Sequence, residues 1–191
     1  MQILLASSSS YRKALLERLH LAFQCASPEI DETPKPNETA EQLVKRLALE
    51  KARKIAPLYP NALIIGSDQA AVLDGAIIGK PHTVENAVKQ LQQANGKTLQ
   101  LMTSLCLYNS HTDKYQLDMV PFAVSMRHLS DEALRRYVAL DKPLDCAGSF
   151  KWEQLGIALF SSMQGDDVTA LQGLPLIRLI DMLQEEGVMV L

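Results

Sequence analysis

A chain of 191 residues, 47% hydrophobic and 21% charged, is long enough for one domain or two closely joined lobes around a sizeable core. Its formal net charge of −3 offers no global basic field to nucleic acid. No apolar run approaches the roughly 18 residues of a membrane span, and MQILLASSSSYRK lacks the apolar core of a secretory signal.

Ile3–Ala6 reads as a short buried strand and Ser7–Ser10 as a loop whose later serines can cap the next helix. That helix is expected over about Tyr11–His20, with Ala14, Leu15, Leu16 and Leu19 apolar. Strand, hydroxyl-rich loop and helix N-terminus together make an anion site. Arg12 falls in the first helical turn, where a cation opposes the helix dipole unless an anion binds beside it. Phe23–Ala26 is a second short strand, followed by the acidic, proline-containing loop Ser27–Pro36 with Asp31 and Glu32. Such a loop is by composition alone a solvated one.

Thr39–Ala56 is a predicted helix, with Thr39 and Gln42 fitting a capping box. Its apolar arc holds Leu43, Val44, Leu47 and Ile55, and Lys51 falls inside that arc. A lysine there either snorkels to the rim or points into a cleft at an anion.

The central stretch, Leu63–Pro81, reads LIIGSDQAAVLDGAIIGKP. An apolar run ends at Gly66-Ser67 and delivers Asp68 and Gln69. A second run, Ala70–Leu73, turns at Asp74-Gly75 into Ala76–Ile78, which ends at Gly79-Lys80-Pro81. Asp-Gly between apolar segments signals a hairpin. One acid and one cation at strand ends, beside glycines, suit an anionic substrate.

Thr83 then caps a helix to about Ala94, closed by Asn95-Gly96. Lys97–Asn109 and Tyr115–Met126 form a long hairpin around a turn at Ser110–Asp113, with an edge or bulge expected near Pro121. Ser130 caps a helix to about Leu140. The loop Asp141–Gln154 carries Gly148-Ser149, Trp152 and Glu153. Leu155–Phe160 is expected to be a strand and Gly165–Ala170 a polar loop. Leu176–Glu186 is the last helix, with a core face of Leu176, Ile177, Leu179, Ile180 and Leu183. The interleaving of strands and helices predicts a mixed-sheet α/β protein.

Several chemistries are disfavoured. GAIIGK at Gly75–Lys80 is not a P-loop: its glycine spacing is one short, and Pro81 stands where Ser or Thr must hold the metal. Dinucleotide fingerprints, HExxH and a nucleophile elbow are absent. His20, His82, His111 and His128 are scattered. The three cysteines, Cys25, Cys106 and Cys146, are far apart, which argues against a disulfide framework or zinc cluster and for a reducing compartment.

LLASSSSYRKALLERL, EIDETP, ALEKA, IIGSDQ, GKP and CAGSFKWE, in that order across the chain, resemble the Maf family of nucleoside triphosphate pyrophosphatases. The branch acting on 7-methyl-GTP is similar in its aromatic before the Arg, its Asp-Gln at the strand end and its late Ala-Gly-Ser-Phe-Lys-x-Glu. The resemblance implies a Maf or ITPase-like α/β fold: one domain of two lobes, a mixed elongated sheet with flanking helices, and nucleotide in the cleft. It implicates Ser7, Ser9, Arg12, Lys51 and Lys80 in phosphate binding, Glu32 and Asp68 in holding magnesium or manganese, and Asp68 in activating water. Tyr11, able to stack on a cationic methylated base, Glu153, able to accept from the guanine edge, and Gln69 would set base choice. A homodimer in the cytoplasm is also implied, with no nucleic acid and no membrane as partner. The chain departs from the family at Ser10, where proline is usual, and carries Lys13 at the basic position after Arg12. The competing expectations are the pyrimidine branch, which hydrolyses dTTP and UTP, and a nucleotide-binding regulator of septum formation with little turnover.

Overall fold

A computed structural model describes residues 1–191. In chain order the elements are β1 (Gln2–Ala6), α1 (Ser10–Glu17), β2 (Phe23–Ala26), α2 (Ala40–Ile55), β3 (Ala62–Leu73), β4 (Ala76–Ile78), α3 (Val84–Ala94), β5 (Thr98–Asn109), β6 (Lys114–Met126), α4 (Asp131–Asp141), β7 (Phe160–Gln164) and α5 (Leu176–Glu185). Seven strands form one sheet in the order β2-β1-β3-β5-β6-β7, with β4 paired to β3. The sheet is mixed: β1 runs parallel to both β2 and β3, whereas β4 is antiparallel to β3 and β7 antiparallel to β6. The α/β architecture expected from the sequence is observed.

The chain divides into two compact units. The first comprises Met1–Gln69, Thr103–Val120 and Asp167–Leu191, and the second Ala70–Met102 and Pro121–Asp166. In the first unit β1, the start of β3 and the end of β5 are buried on both faces, which explains runs such as Leu63-Ile64-Ile65. Ile3, Leu5, Leu63, Ile65, Leu105 and Leu107 pack with Leu15, Leu16, Leu176, Leu179 and Leu183 of α1 and α5. Their alternate neighbours Leu4, Ala6, Ile64, Cys106 and Tyr108 pack with Ala48, Ala52 and Ile55 of α2. A period of two therefore sorts one strand between two helical layers.

The helix starts were readable. Ser9, Thr39, Thr83 and Ser130 each cap the following helix through a side-chain oxygen. The Thr39–Gln42 capping box is complete in both directions. In the second unit Asp74 and Gly75 both adopt positive φ, 51° and 82°, as a two-residue hairpin turn demands.

Three expectations need correction. The chain does not break at Gly66-Ser67: β3 continues through them to Leu73, so Asp68 lies mid-strand rather than at a strand end. Its pairing with β1 covers Ala62–Ile65 and its pairing with β4 covers Ala71–Leu73. Asp68 and Gln69 fall between those two paired stretches. Leu155–Leu159 is a 3-10 turn, and the strand is the more polar Phe160–Gln164. This β7 stands at the end of the strand order and needs no apolar face on both sides. Pro121 precedes the segment of β6 paired with β7, which begins at Ala123, as the edge alternative expects; a register shift in that pairing falls at Ser125/Met126. In α5, Ile177 is 57% exposed while Met182 is buried.

Candidate active site

In the first unit the loop after β1 turns tightly. Ser7 N–H donates to the Leu5 carbonyl (2.9 Å), and Ser9 N–H donates to Ser7 Oγ (3.1 Å). Ser9 caps α1, its Oγ facing the Arg12 N–H at 3.4 Å. Two hydroxyls and the first amides of a helix are thus gathered at one loop, the arrangement that receives anions. The Arg12 side chain folds back over this loop. Its Nε donates to the Gly173 carbonyl (2.8 Å), and its Nη1 lies 3.5 Å from Ser7 Oγ. Desolvation by burial lowers the Arg12 guanidinium from its ordinary value, and the charges of Asp68 and Glu32 act in the opposite sense. Tyr11, beside it on α1, is half-buried.

Lys51 resolves the alternative left open by its place on an apolar helical arc. Only 5% exposed, it does not snorkel. Its Nζ lies 2.6 Å from Asp68 Oδ1 and 2.8 Å from Glu32 Oε1. One ammonium therefore holds together a helix, the central strand and the acidic loop. Glu32 is the exposed member. The backbone around Asp68 is equally constrained. Asp68 N–H donates to Ser104 Oγ (3.2 Å), and the Ser104 hydroxyl donates to the Val44 carbonyl (2.6 Å). Ser67 Oγ lies 2.7 Å from the carbonyls of both Ser104 and Gly173. Gly173 thus accepts from Arg12 and from the residue before Asp68. Gly66 is obligatory for another reason: a Cβ there would sit 2.1 Å from the Ala48 carbonyl oxygen of α2.

Gln69 is half-buried, and its amide is oriented by the protein. Nε2 donates to Thr103 Oγ1 (2.9 Å) and to the Ala170 carbonyl (2.6 Å). Both amide hydrogens are committed, so what Gln69 offers a ligand is its carbonyl oxygen, an acceptor. Ser104, Thr103, Ala170 and Gly173 had no signal in the sequence, because they act through backbone carbonyls and small hydroxyls common in any chain.

Of the ten residues expected at the site, eight lie in the first unit: Ser7, Ser9, Tyr11, Arg12, Glu32, Lys51, Asp68 and Gln69. The structure gathers Ser7, Ser9 and Arg12 at the loop after β1, and Glu32, Lys51 and Asp68 around one ammonium. Lys80 and Glu153 lie in the second unit, both exposed. Lys80 follows β4, and Glu153 sits in the turn between a 3-10 turn at Ala147–Ser149 and another at Leu155–Leu159.

A family model described as Maf-like protein matches residues 2–186. The chain belongs to the Maf family. Among curated relatives of this Maf protein is one from Pseudomonas savastanoi pv. phaseolicola, 58% identical over 188 residues and 98% of each chain, named 7-methyl-GTP pyrophosphatase. Relatives from Pseudomonas aeruginosa (56% identical) and Methylobacillus flagellatus (53%), each matched over 97% of both chains, bear the same name. Among solved structures, the Staphylococcus aureus Ham1 protein superposes with a TM-score of 0.55 over 97% of this chain and 100% of that one, at 14% identity. That likeness is one of fold. The family match runs through both compact units. No helix of the protein is long and apolar enough to cross a membrane.

Proposed function

We propose that this Maf protein is a nucleoside triphosphate pyrophosphatase that hydrolyses 7-methyl-GTP to 7-methyl-GMP and pyrophosphate. The observation that carries this reading is the near full-length identity of 53–58% to relatives named for that activity. The geometry supports the chemistry. Phosphoryl transfer needs positioning and charge neutralisation more than covalent help. The loop hydroxyls of Ser7 and Ser9, with Arg12, Lys51 and Lys80, bind the phosphates. Lys51 engages Asp68 through Oδ1, and Oδ2 takes the proton of the attacking water. The water oxygen bonds to the α-phosphorus as the bond to the bridging oxygen breaks, and pyrophosphate leaves with that oxygen. No covalent enzyme intermediate forms.

The donor set fits magnesium or manganese. Arg12 and Lys51 only balance the charges of Asp68 and Glu32, so a triphosphate brings negative charge that this cluster leaves uncompensated. No group of three or more His, Cys, Asp or Glu side chains gathers in a metal-ligating arrangement. Two carboxylates drawn to one ammonium, completed by substrate phosphates, match the oxygen-rich, partly protein-supplied coordination of these ions. Glu32 and Asp68 would hold the ion, which polarises phosphate oxygens and neutralises developing charge when bound.

Tyr11, Gln69 and Glu153 carry base choice in this reading. A 7-methylguanine ring is cationic, and a stacked aromatic favours it by about 0.5–2 kcal/mol. The Glu153 carboxylate accepts from the guanine N1 and N2 hydrogens and opposes the ring charge. Gln69 accepts through its oxygen. A cytoplasmic homodimer completes the proposal.

The test is pyrophosphate release from GTP, 7-methyl-GTP, UTP, dTTP and ITP with magnesium or manganese, with Asp68→Asn as control. Preferential release from 7-methyl-GTP supports the assignment. Release mainly from UTP and dTTP overturns the base choice, and binding without turnover makes the protein a nucleotide-responsive regulator instead.

A further inference from the structure

The second unit contains a side chain that touches two site segments at once. Gln90, half-buried on α3, donates from Nε2 to the Gly79 carbonyl (3.2 Å), next to Lys80. Its Oε1 accepts from the Ser149 hydroxyl at 2.5 Å. The amide orientation is dictated by chemistry, since a carbonyl can only accept and Gly79 must therefore face the NH2 group. One turn earlier on the same helical face, Asn86 donates from Nδ2 to the Pro81 carbonyl (3.0 Å). Lys80 is thereby flanked by two carbonyls, both held by α3.

The segment beyond Ser149 is pinned at several points. Ser149 is fully buried with φ at 62°, directly after Gly148 at 77°. Consecutive left-handed residues, one of them not glycine, persist only where the surroundings over-determine them. Further on, Lys151 N–H donates to the Tyr137 hydroxyl of α4 (2.9 Å), and the Lys151 carbonyl accepts from Gln154 N–H (3.2 Å) and Gly156 N–H (3.1 Å). Gly156 N–H also lies 3.1 Å from Asp141 Oδ2 of α4. A Cβ on Gly156 would meet the Lys151 carbonyl oxygen at 2.3 Å. Trp152 and Glu153 ride on this closed turn, both ends of which are tied to α4, at Lys151 through Tyr137 and at Gly156 through Asp141, while Ser149, two residues before the turn, is held by Gln90.

We propose that Gln90 is a positioning residue that couples the Lys80 segment to the Trp152–Glu153 turn, so that phosphate binding and base selection share one side chain. The inference rests on the roles given to Lys80 and Glu153 above. It is not a catalytic role: Gln90 acts on carbonyl and hydroxyl groups of the protein. The two neighbours separate its arms. Asn86 reaches only the lysine segment and Tyr137 only the turn.

The experiment measures pyrophosphate release from GTP and 7-methyl-GTP in Gln90→Met, Asn86→Ala, Tyr137→Phe, Lys80→Ala and Glu153→Ala. Trp152 is the only tryptophan, so acrylamide quenching of its fluorescence reports on the turn directly. Gln90→Met is expected to raise KM for both nucleotides and to lower the preference for 7-methyl-GTP, each by about three- to tenfold, as for a lost hydrogen bond. Trp152 becomes more accessible to quencher while the far-UV circular dichroism is unchanged. Asn86→Ala raises both KM values with the preference intact. Tyr137→Phe lowers the preference and exposes Trp152. Gln90→Asn, with the amide one methylene short of both partners, reproduces Gln90→Met and serves if that variant folds poorly. If Lys80→Ala and Glu153→Ala produce their effects while Gln90→Met changes neither preference nor quenching, the coupling is refuted. If Lys80→Ala or Glu153→Ala is itself silent, the underlying role assignment has failed, and the coupling falls with it.

Discussion

Lys51 Nζ and Asp68 Oδ1 are 2.6 Å apart, and the two residues are 5% and 9% exposed. An ammonium so deeply placed is tolerated because carboxylates surround it. The pair is both a structural joint between α2 and β3 and the proposed chemical centre, and two substitutions separate those functions. Asp68→Asn keeps the volume and removes the proton acceptor. Turnover is expected to fall on the order of 10²-fold or more, with nucleotide binding retained by calorimetry. Near-normal turnover would remove Asp68 as the base. Lys51→Met instead strands the buried Asp68 carboxylate, and denaturant unfolding should show a loss of about 3–5 kcal/mol.

Gly66→Ala tests how tightly α2 lies on β3. The new Cβ would fall 2.1 Å from the Ala48 carbonyl oxygen and 3.2 Å from Ala52 Cβ. Backbone cannot yield as a flexible side chain does, so the helix must move away and carry Lys51 with it. A loss of about 1–3 kcal/mol is expected, together with a turnover defect that exceeds any fall in folded fraction. Wild-type turnover and stability would contradict the packing.

How much of this was legible beforehand depends on the kind of interaction. The capping serines and threonines announce themselves by type and spacing, as do Leu63-Ile64-Ile65 and the Asp74-Gly75 turn. Lys51 was suspect because a charge interrupted an apolar arc. Asp68 was found but misplaced, since Gly66-Ser67 looks like a strand terminus. In the fold Gly66 instead admits α2, and Ser67 donates to buried carbonyls. The Leu155–Phe160 run misled because apolarity there does not mark a strand: Gly156 is tied to Lys151 and Asp141, and Ile157 is 50% exposed. Gln90, Tyr137 and Asp141 were invisible because their partners are backbone groups or distant side chains, and no periodicity records those.

A second ion pair contributes stability that acid removes. Arg46 Nε and Nη2 reach Glu38 Oε1 and Oε2 at 2.6 and 2.8 Å. This fork holds the Glu38 carboxyl at about 2, below its ordinary 4.5. A carboxylate depressed on folding contributes stability above its unfolded value, and that contribution is lost as pH falls through the folded one. The difference in unfolding midpoint between wild type and Glu38→Gln should therefore be largest above pH 4.5 and shrink toward pH 2. A difference constant across that window would show that the fork does not act through protonation.

Thiol labelling should distinguish the cysteines. Burial pushes the Cys106 thiol up to about 12, whereas Cys25 is exposed on β2. Thiolate is the reactive species, so iodoacetamide at pH 8 is expected to modify Cys25 in the native protein and spare Cys106 until denaturant is added. Equal labelling by mass spectrometry would mean that the sheet core opens readily.

The Gly173 carbonyl receives Arg12 from 161 positions upstream and Ser67 from 106. During synthesis the loop after β1 and the strand bearing Asp68 leave the ribosome long before the residue that orients them both. A nascent chain stalled short of Gly173 carries every group proposed to grip phosphate, yet lacks the carbonyl to which Arg12 Nε donates. The carbonyl that directs the proposed phosphate arginine thus joins the site almost at the end of translation, and a chain truncated before it is expected to grip a triphosphate less well than the finished protein.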